Sequence, residues 1–208
     1  MDEAVARQKP SARDRLLELA EVSILQKGFG ATSIDELVAG AGITKSGFFY
    51  HFKDKSDLAK ALLLRHFERD NEILDGIFGR ARELHDDPLH AFLIGLKLFA
   101  EMLDQMPEMH PGCLVASICY QEQLFNREIH DMNAKGVLAW RIRFREYLDE
   151  IAARYPTRVD VDLDVLADML STLVEGGIVM ARALHQPRIL AQQVMLYRLT
   201  VRAIFIGN

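Results

Sequence analysis

Residues 32–55 read TSIDELVAGAGITKSGFFYHFKDK and contain the signals for two short helices joined by a turn. Ser33 and Glu36 have the spacing of a capping box, which predicts the start of the first helix. Glycines at 40 and 42 end that helix after about two turns, because glycine adopts the positive φ of a tight turn. Thr44 can then cap a second helix. The stretch therefore predicts two helices at an angle to each other.

The flanking sequence predicts an all-α chain. Apolar residues recur at helical spacing from about Ala12 to Lys27, and strand-like alternation is almost absent. Further helices are predicted over about 55–84 and 88–106. A long helix that follows the apolar segment 113–120 is predicted to end at about 155, and two more are predicted over about 163–184 and 187–206. No run approaches about 18 consecutive apolar residues, so we expect no membrane span. The start Met1-Asp2-Glu3 lacks the apolar segment of a secretion signal, so we expect a cytoplasmic protein.

We divide the chain into a head, residues 10–70, with a helix-turn-helix motif at about 33–52, and a body, residues 71–208. In a helix-turn-helix the second helix lies in the major groove of DNA and presents its first residues to the base edges. Residues 1–70 hold 11 Lys+Arg and 11 Asp+Glu residues, whereas residues 71–208 hold 14 and 19. An interaction with DNA therefore depends on where the cations lie rather than on their number.

The second helix of the motif carries side chains that suit contact with DNA. Thr44, Lys45 and Ser46 offer hydrogen-bond donors at its start, and Gly47 lets the backbone approach closely. Donors that follow can bond flanking phosphates without reading sequence, and these are Tyr50, His51, Lys53 and Lys55.

The chain resembles the tetracycline-repressor (TetR) family of bacterial regulators over about residues 10–70. The resemblance lies in Arg15-Leu16-Leu17, Gly28-Phe29, Ala31-Thr32-Ser33-Ile34, Ala41-Gly42-Ile43-Thr44-Lys45-Ser46-Gly47 and Tyr50-His51-Phe52-Lys53-Asp54-Lys55. It implies a three-helix DNA-binding head and a helical body that dimerises and binds a small effector. By position it implies a DNA-contacting set of Thr32, Ser33, Thr44, Lys45, Ser46, Gly47, Phe49, Tyr50, His51 and Lys55.

Two positions depart from the family pattern. Phe49 stands where the family usually has a tyrosine whose hydroxyl meets a phosphate. Two interpretations stay open: Phe49 touches a thymine methyl group, or Tyr50 supplies the hydroxyl. Ser23 stands where the family prefers leucine, which affects the packing of the first helix rather than contact with DNA.

The body carries no nucleotide-binding loop, zinc motif or nucleophile elbow, so we expect neither an enzyme nor a bound metal or cofactor. Methionine and aromatic side chains line pockets for partly apolar molecules. The predicted effector set is Phe99, Met102, Met106, Tyr120, Phe125, Trp140, Phe144 and Glu175. The alternative for each of them is a place in the core. We interpret Cys113 and Cys119 as small core residues, with a redox sensor as the alternative.

The last two helices carry apolar stripes that suit a helix–helix interface. Residues recur at intervals of three and four in both helices, and paired glycines favour close approach of a neighbouring backbone. The resemblance implies that this neighbour is a second subunit, in a four-helix dimer core. The predicted interface is Leu173, Gly176, Gly177, Leu190, Val194, Tyr197 and Val201. The alternative is that these stripes fill the core of a single subunit.

Together these features predict a homodimeric repressor of a pseudo-palindromic operator that a small molecule releases. The predicted partners are double-stranded DNA, a second copy of the chain and an effector of unknown identity, without a membrane. A structural DNA-binding protein without effector and a helical enzyme acting on a small lipophilic substrate are the alternatives.

Overall fold

The computed structural model describes residues 10–206, which form nine α-helices and one short 3₁₀ turn, Glu122–Leu124, without β-strand. The helices are α1 (Ala12–Lys27), α2 (Ile34–Ala41), α3 (Lys45–His51), α4 (Lys55–Leu84), α5 (Pro88–Asp104), α6 (Leu114–Tyr120), α7 (Arg127–Arg154), α8 (Leu163–Leu184) and α9 (Arg188–Phe205). The all-α prediction is confirmed. Residues 1–9, with the segment used to judge a secretion signal, and the last two residues of the predicted body lie outside the described range.

Side-chain caps fix the two helices of the motif. The Ser33 hydroxyl accepts the backbone N–H of Glu36 at 3.1 Å, and the Thr44 hydroxyl accepts that of Gly47 at 3.2 Å. Each hydroxyl bonds an N–H that has no partner within its own helix. Gly42 ends α2 in the left-handed region, with φ 65° and ψ 39°. The predicted helix starts and turn are therefore confirmed.

The head packs α1, α2, α3 and the start of α4 around one hydrophobic cluster. Its fully buried members include Leu16, Leu17, Leu37, Phe48, Phe52, Leu58 and Leu62. Inside this cluster the hydroxyls of Ser23 and Thr32 lie 2.9 Å apart and hydrogen bond. A leucine at position 23 would leave the Thr32 hydroxyl with one partner fewer, so the serine accounts for this departure from the family pattern.

Helix α4 connects the head to the body. Its first half contributes Leu58, Leu62 and Leu63 to the head cluster, and its second half contributes Leu74 and Phe78 to the body cluster. A displacement along α4 therefore moves residues of both cores.

The body core lies between α4, α5, α7, α8 and α9. The rings of Phe78 and Tyr147 stack with centroids 5.0 Å apart, and Phe144 packs edge-on against Phe78 at 5.7 Å. Aromatic burial of this kind contributes about 1.5–3 kcal/mol for each fully buried side chain. Among residues 10–206, no helix combines the length and the apolar character that crossing a bilayer requires.

Helix α6 and the turn after it join the body to the head. Leu114 and Ile118 of α6 belong to the head cluster. The Phe125 ring lies 4.5 Å from the Phe29 ring, measured between centroids. The Gln121 side chain accepts the backbone N–H of Gly30 at 3.1 Å. The body thus touches the turn between α1 and α2 directly as well as through α4.

Candidate nucleic-acid interface

Helix α3 separates its buried side chains from its exposed ones. Phe48 is fully buried in the head, and Phe52, the residue that follows the helix, is buried beside it. On the opposite side Thr44, Lys45 and Ser46 are exposed, and Tyr50 is 85% exposed. The side chains that can bond nucleobases or phosphates therefore project from a helix that Phe48 and Phe52 anchor in the head core.

The first residues of α3 are linked to each other and to α2. The hydroxyls of Thr44 and Ser46 lie 2.9 Å apart, and the Lys45 ammonium lies 3.0 Å from a carboxylate oxygen of Asp35. Asp35 is in the first turn of α2. The sequence interpretation of DNA contacts did not include Asp35, although its place two residues before the buried Leu37 puts it on the opposite side of α2.

Gly47 lies in the first turn of α3, where the surrounding side chains leave room for a methyl group. A Cβ atom added there would lie 3.5 Å from the Ile43 side chain, which is ordinary van der Waals contact. The fold of the head therefore does not require glycine at this position. This leaves close approach of another molecule as a reason for glycine here.

Two predicted contact residues, Thr32 and Ser33, have structural roles in the motif. Thr32 is 1% exposed, and its hydroxyl donates to the Gly28 carbonyl at 3.0 Å besides bonding Ser23. Its side chain cannot reach DNA from there, so we remove Thr32 from the contact set. Ser33 is exposed, but its hydroxyl caps α2.

The aromatic residues in the second half of α3 differ in exposure. Phe49 is half-exposed and packs edge-on against Phe48 with centroids 5.4 Å apart. His51 is half-buried, and its ring lies 5.0 Å from the Tyr50 ring. Both interpretations of position 49 remain compatible with this arrangement, because Phe49 and Tyr50 are both accessible.

Lys55 points into the protein rather than away from it. Its ammonium donates to the Phe29 carbonyl at 2.8 Å and lies 4.5 Å from the centroid of the Phe29 ring. Partial burial lowers the pKa of this ammonium. A phosphate contact from Lys55 would therefore have to replace an existing hydrogen bond, whereas Lys53 is exposed.

The predicted effector residues do not come together in one place. Phe99 and Phe144 are buried in the body cluster, whereas Phe125 belongs to the head cluster and Tyr120 is exposed. The partly buried members of the set are Met102, Met106, Trp140 and Glu175. Asn126 caps α7, so Phe125 lies before that helix rather than on it. The capping residue is the feature of the sequence that could have predicted this.

The two cysteines differ in environment. Cys113 caps α6, and burial raises the pKa of its thiol to about 12. Cys119 is exposed, and its sulfur lies 3.3 Å from the amide nitrogen of Asn133. A thiol with a raised pKa carries little thiolate at neutral pH, which disfavours Cys113 as a redox sensor. Within residues 10–206, no group of three or more His, Cys, Asp and Glu side chains is arranged to hold a metal ion.

A surface groove of about 670 Å³ runs between α4 and α7. Its floor is apolar, with Phe67 packed where Gly136 leaves space. The lining residues are Leu64, Phe67, Arg127, Glu128, Asp131, Met132, Lys135, Gly136 and Ala139. None of the predicted effector residues lines this groove.

The predicted dimer residues on α9 lie inside the protomer, which corrects the sequence interpretation. Leu190, Val194, Tyr197 and Val201 are at most 2% exposed and pack in the protomer's own core. Gly177 of α8 is buried, and a Cβ atom there would lie 3.2 Å from the backbone of Leu190. The alternative, that this stripe fills the core of one subunit, holds for these five residues. Leu173 is partly buried.

The outer faces of α8 and α9 carry a second apolar stripe. Gly176 is exposed, with no atom within 4 Å of an added Cβ. Large apolar side chains on these faces are about half-exposed or more, and they are Val165, Val179, Met180, Leu184, Leu196 and Leu199. These residues recur at helical spacing on the side opposite to the core.

Comparison with known proteins agrees with the head geometry. Residues 16–62 match the family model described as bacterial regulatory proteins, tetR family. The chain is 24% identical over 179 residues to the transcriptional regulator AcuR of Cereibacter sphaeroides, covering 85% of this chain and 78% of AcuR. It is 37% identical over 82 residues to the HTH-type transcriptional repressor KstR2 of Mycobacterium tuberculosis, covering 39% of this chain but only 38% of KstR2.

Solved structures extend the likeness to the whole fold. The reduced form of Escherichia coli NemR has a TM-score of 0.74 at 17% identity, covering 95% of this chain and 99% of that chain. A TetR transcriptional regulator from Chloroflexus aurantiacus has a TM-score of 0.75 at 22% identity, covering 93% of this chain and 96% of that one. With a capped helix-turn-helix at residues 33–52 and these matches, residues 16–62 form a head of the tetR family of bacterial regulatory proteins, and the chain as a whole shares the fold of the solved TetR regulators.

Proposed function

We propose that the chain binds double-stranded operator DNA as a homodimer and represses transcription until a small molecule releases it. The observation that carries the proposal is α3, whose polar residues are exposed while Phe48 anchors the helix in the head core. The relatives KstR2 and NemR are named as repressors, which supports repression as the direction of control.

The exposed residues of α3 divide into base readers and phosphate contacts. Thr44, Lys45 and Ser46 occupy the start of the helix, which a helix-turn-helix places against base edges. Tyr50, which is exposed, and His51, which is half-buried, follow at the far end of the helix and suit phosphate oxygens. Lys55 supplies a phosphate contact only after it leaves the Phe29 carbonyl.

A second copy of the chain would cover the outer faces of α8 and α9. These faces expose Val179, Leu196 and Leu199 together, so their apolar surface forms a patch rather than single scattered residues. Patches of this kind mark interfaces. The open space at Gly176 allows a neighbouring helix to approach closely. A two-fold dimer would then bind a pseudo-palindrome with half-sites roughly 34–36 Å apart, or a multiple of that distance.

Release by an effector requires a physical connection between body and head. Two contacts support one: Gln121 on Gly30, and Phe125 on Phe29. A ligand that binds one arrangement of the α6–α7 segment more tightly would shift the population of head positions. Such a ligand stabilises the protein by about 2.7 kcal/mol at a hundredfold excess over Kd, which a thermal-shift screen of metabolites detects.

The test of DNA binding uses the full-length chain and duplexes that it selects from a random library. We expect Lys45→Ala with Tyr50→Ala to abolish the shifted band of a selected duplex while the oligomeric state stays unchanged. The matched control is Lys97→Ala with Tyr120→Ala, which removes the same two side-chain types from exposed positions of the body. A band that persists in the first variant at physiological salt contradicts the assignment of α3.

A further inference from the structure

The ion pair between Asp35 and Lys45 joins the two helices of the motif on their exposed side. The Lys45 ammonium lies 3.0 Å from the Asp35 carboxylate, and the two side chains are 57% and 74% exposed. Ser33, not Asp35, supplies the cap of α2. An ion pair as exposed as this one contributes little to stability, so folding alone gives little reason for it.

The position of the pair matters more than its strength. Lys45 is the single lysine or arginine of α3, and it occupies the first position of that helix. Affinity for arbitrary DNA comes from cations that neutralise phosphates. Because Asp35 already neutralises Lys45, a phosphate must displace a carboxylate that is held beside the ammonium. Asp35 also brings a negative charge toward the DNA backbone.

We propose that Asp35 is a specificity-determining residue that withholds Lys45 from arbitrary DNA. This inference rests on the proposed binding of operator DNA by α3. In the major groove a carboxylate accepts from the amino group of cytosine, and a lysine donates to O6 and N7 of guanine. A correctly placed G·C base pair therefore gives both members of the ion pair a new partner. A phosphate gives a new partner to Lys45 alone and leaves Asp35 without one.

The same turn of α2 provides a matched control. Glu36 is the next residue, it is also exposed, and its carboxylate pairs with Lys27 at 2.5 Å. Asp35→Asn and Glu36→Gln remove the same charge from adjacent positions. An effect that comes only from the overall charge of the head is equal in both variants. An effect that passes through Lys45 appears in Asp35→Asn alone.

The experiment measures the specificity ratio, defined as the Kd for a scrambled duplex divided by the Kd for a duplex selected from a random library. Wild type, Asp35→Asn, Glu36→Gln, Lys45→Ala and the double variant Asp35→Asn with Lys45→Ala are compared at one salt concentration. We expect the ratio of Asp35→Asn to fall about fivefold below that of Glu36→Gln, because binding to the scrambled duplex tightens. In the Lys45→Ala background, Asp35→Asn should leave the ratio unchanged.

Equal ratios for Asp35→Asn and Glu36→Gln overturn the inference. So does a fall in the ratio that persists in the Lys45→Ala background. Failure of wild type to bind any duplex has a different meaning, because it contradicts the proposed function and removes the basis of this inference with it. Circular dichroism on each variant confirms that the helices are retained.

Discussion

Helices α3 and α9 both bury one face and expose the other, yet their exposed faces differ in kind. In α3 the buried residue is Phe48, and the exposed side begins with Lys45 and Ser46. In α9 the buried stripe contains Tyr197, and the exposed side contains Leu196 and Leu199. One helix presents polar groups to solvent, whereas the other presents a second apolar surface.

This difference explains why the face of one helix could be predicted and that of the other could not. When only one side of a helix is apolar, that side packs in the core. Helix α9 has two apolar sides, so periodicity indicates that both are covered without saying which is covered by the protomer itself. The outer side then suits a second copy of the chain.

The largest expected effect separates the two sides of α9 by stability. Tyr197→Ala should lower the free energy of unfolding by about 3–5 kcal/mol, because it removes a fully buried aromatic ring. Leu199→Ala should change the stability of the protomer by about 0.5 kcal/mol or less, because Leu199 is 53% exposed. Urea unfolding at a concentration where the protein is monomeric measures both. Equal losses would contradict the assignment of the two faces.

The next effect concerns assembly. Leu196→Glu with Leu199→Glu should weaken the proposed dimer by at least about 2 kcal/mol, roughly thirtyfold in Kd, because two carboxylates would be buried against their symmetry mates. Analytical ultracentrifugation measures the dissociation constant.

The control for assembly is Leu64→Glu with Leu84→Glu, which places the same charges on exposed leucines of α4. That variant should dimerise like the wild type. A dimer that survives the α9 substitutions but not those on α4 would place the interface elsewhere.

Local signals in the sequence were sufficient for the helices and for the start of the site. Ser33 and Thr44 predicted the starts of α2 and α3, and both residues cap these helices. The helix predicted over 163–184 has the bounds of α8. Each of these features depends on residues within one turn of each other. The exposed start of α3 follows from them, because the position of Phe48 fixes which side packs in the head.

Contacts between segments far apart in the sequence could not be predicted from local sequence patterns. The burial of Thr32 depends on Ser23, and the place of Phe125 depends on Phe29 in the head. Lys55 was expected to face DNA, but its partner is the Phe29 carbonyl, 26 residues earlier in the chain. Residue type alone also grouped Phe125 and Phe144 in one pocket, although they lie in different cores.

A smaller effect tests α3 without disturbing its fold. Gly47→Ala should stabilise the head by up to about 1 kcal/mol, because alanine favours a helix and its Cβ meets only ordinary contacts at 3.5 Å. The same methyl group should weaken binding to a selected duplex about tenfold, if the backbone at Gly47 lies against DNA. Thermal unfolding and a binding titration on one preparation measure the two effects.

Opposite signs in the two measurements are the expected result for Gly47→Ala, and they cannot come from damage to the fold. Gly76→Ala on α4 is a control, because a Cβ there meets no atom within 4 Å and Gly76 lies outside the motif. It should raise stability without changing affinity. Unchanged affinity in Gly47→Ala would mean that the α3 backbone does not approach DNA closely.

The smallest effect returns to the inner side of α9. The Tyr197 hydroxyl is buried and has no hydrogen-bond partner among the described residues. Because a buried hydroxyl without a partner lowers stability, Tyr197→Phe should raise the free energy of unfolding by about 1 kcal/mol at neutral pH. Tyr120→Phe, at an exposed position, should leave it unchanged.

The pH dependence of this difference gives its sign independently. Burial raises the pKa of Tyr197 in the folded protein, whereas in the unfolded chain it stays near the ordinary value of about 10. Above that pH the unfolded chain loses a proton that the folded protein keeps, so the stability of wild type falls as pH rises. Tyr197→Phe lacks this proton, so its advantage over wild type should grow above pH ~10. An advantage that stays constant with pH would mean that the Tyr197 hydroxyl reaches solvent. The core of the protomer would then cover the inner face of α9 incompletely.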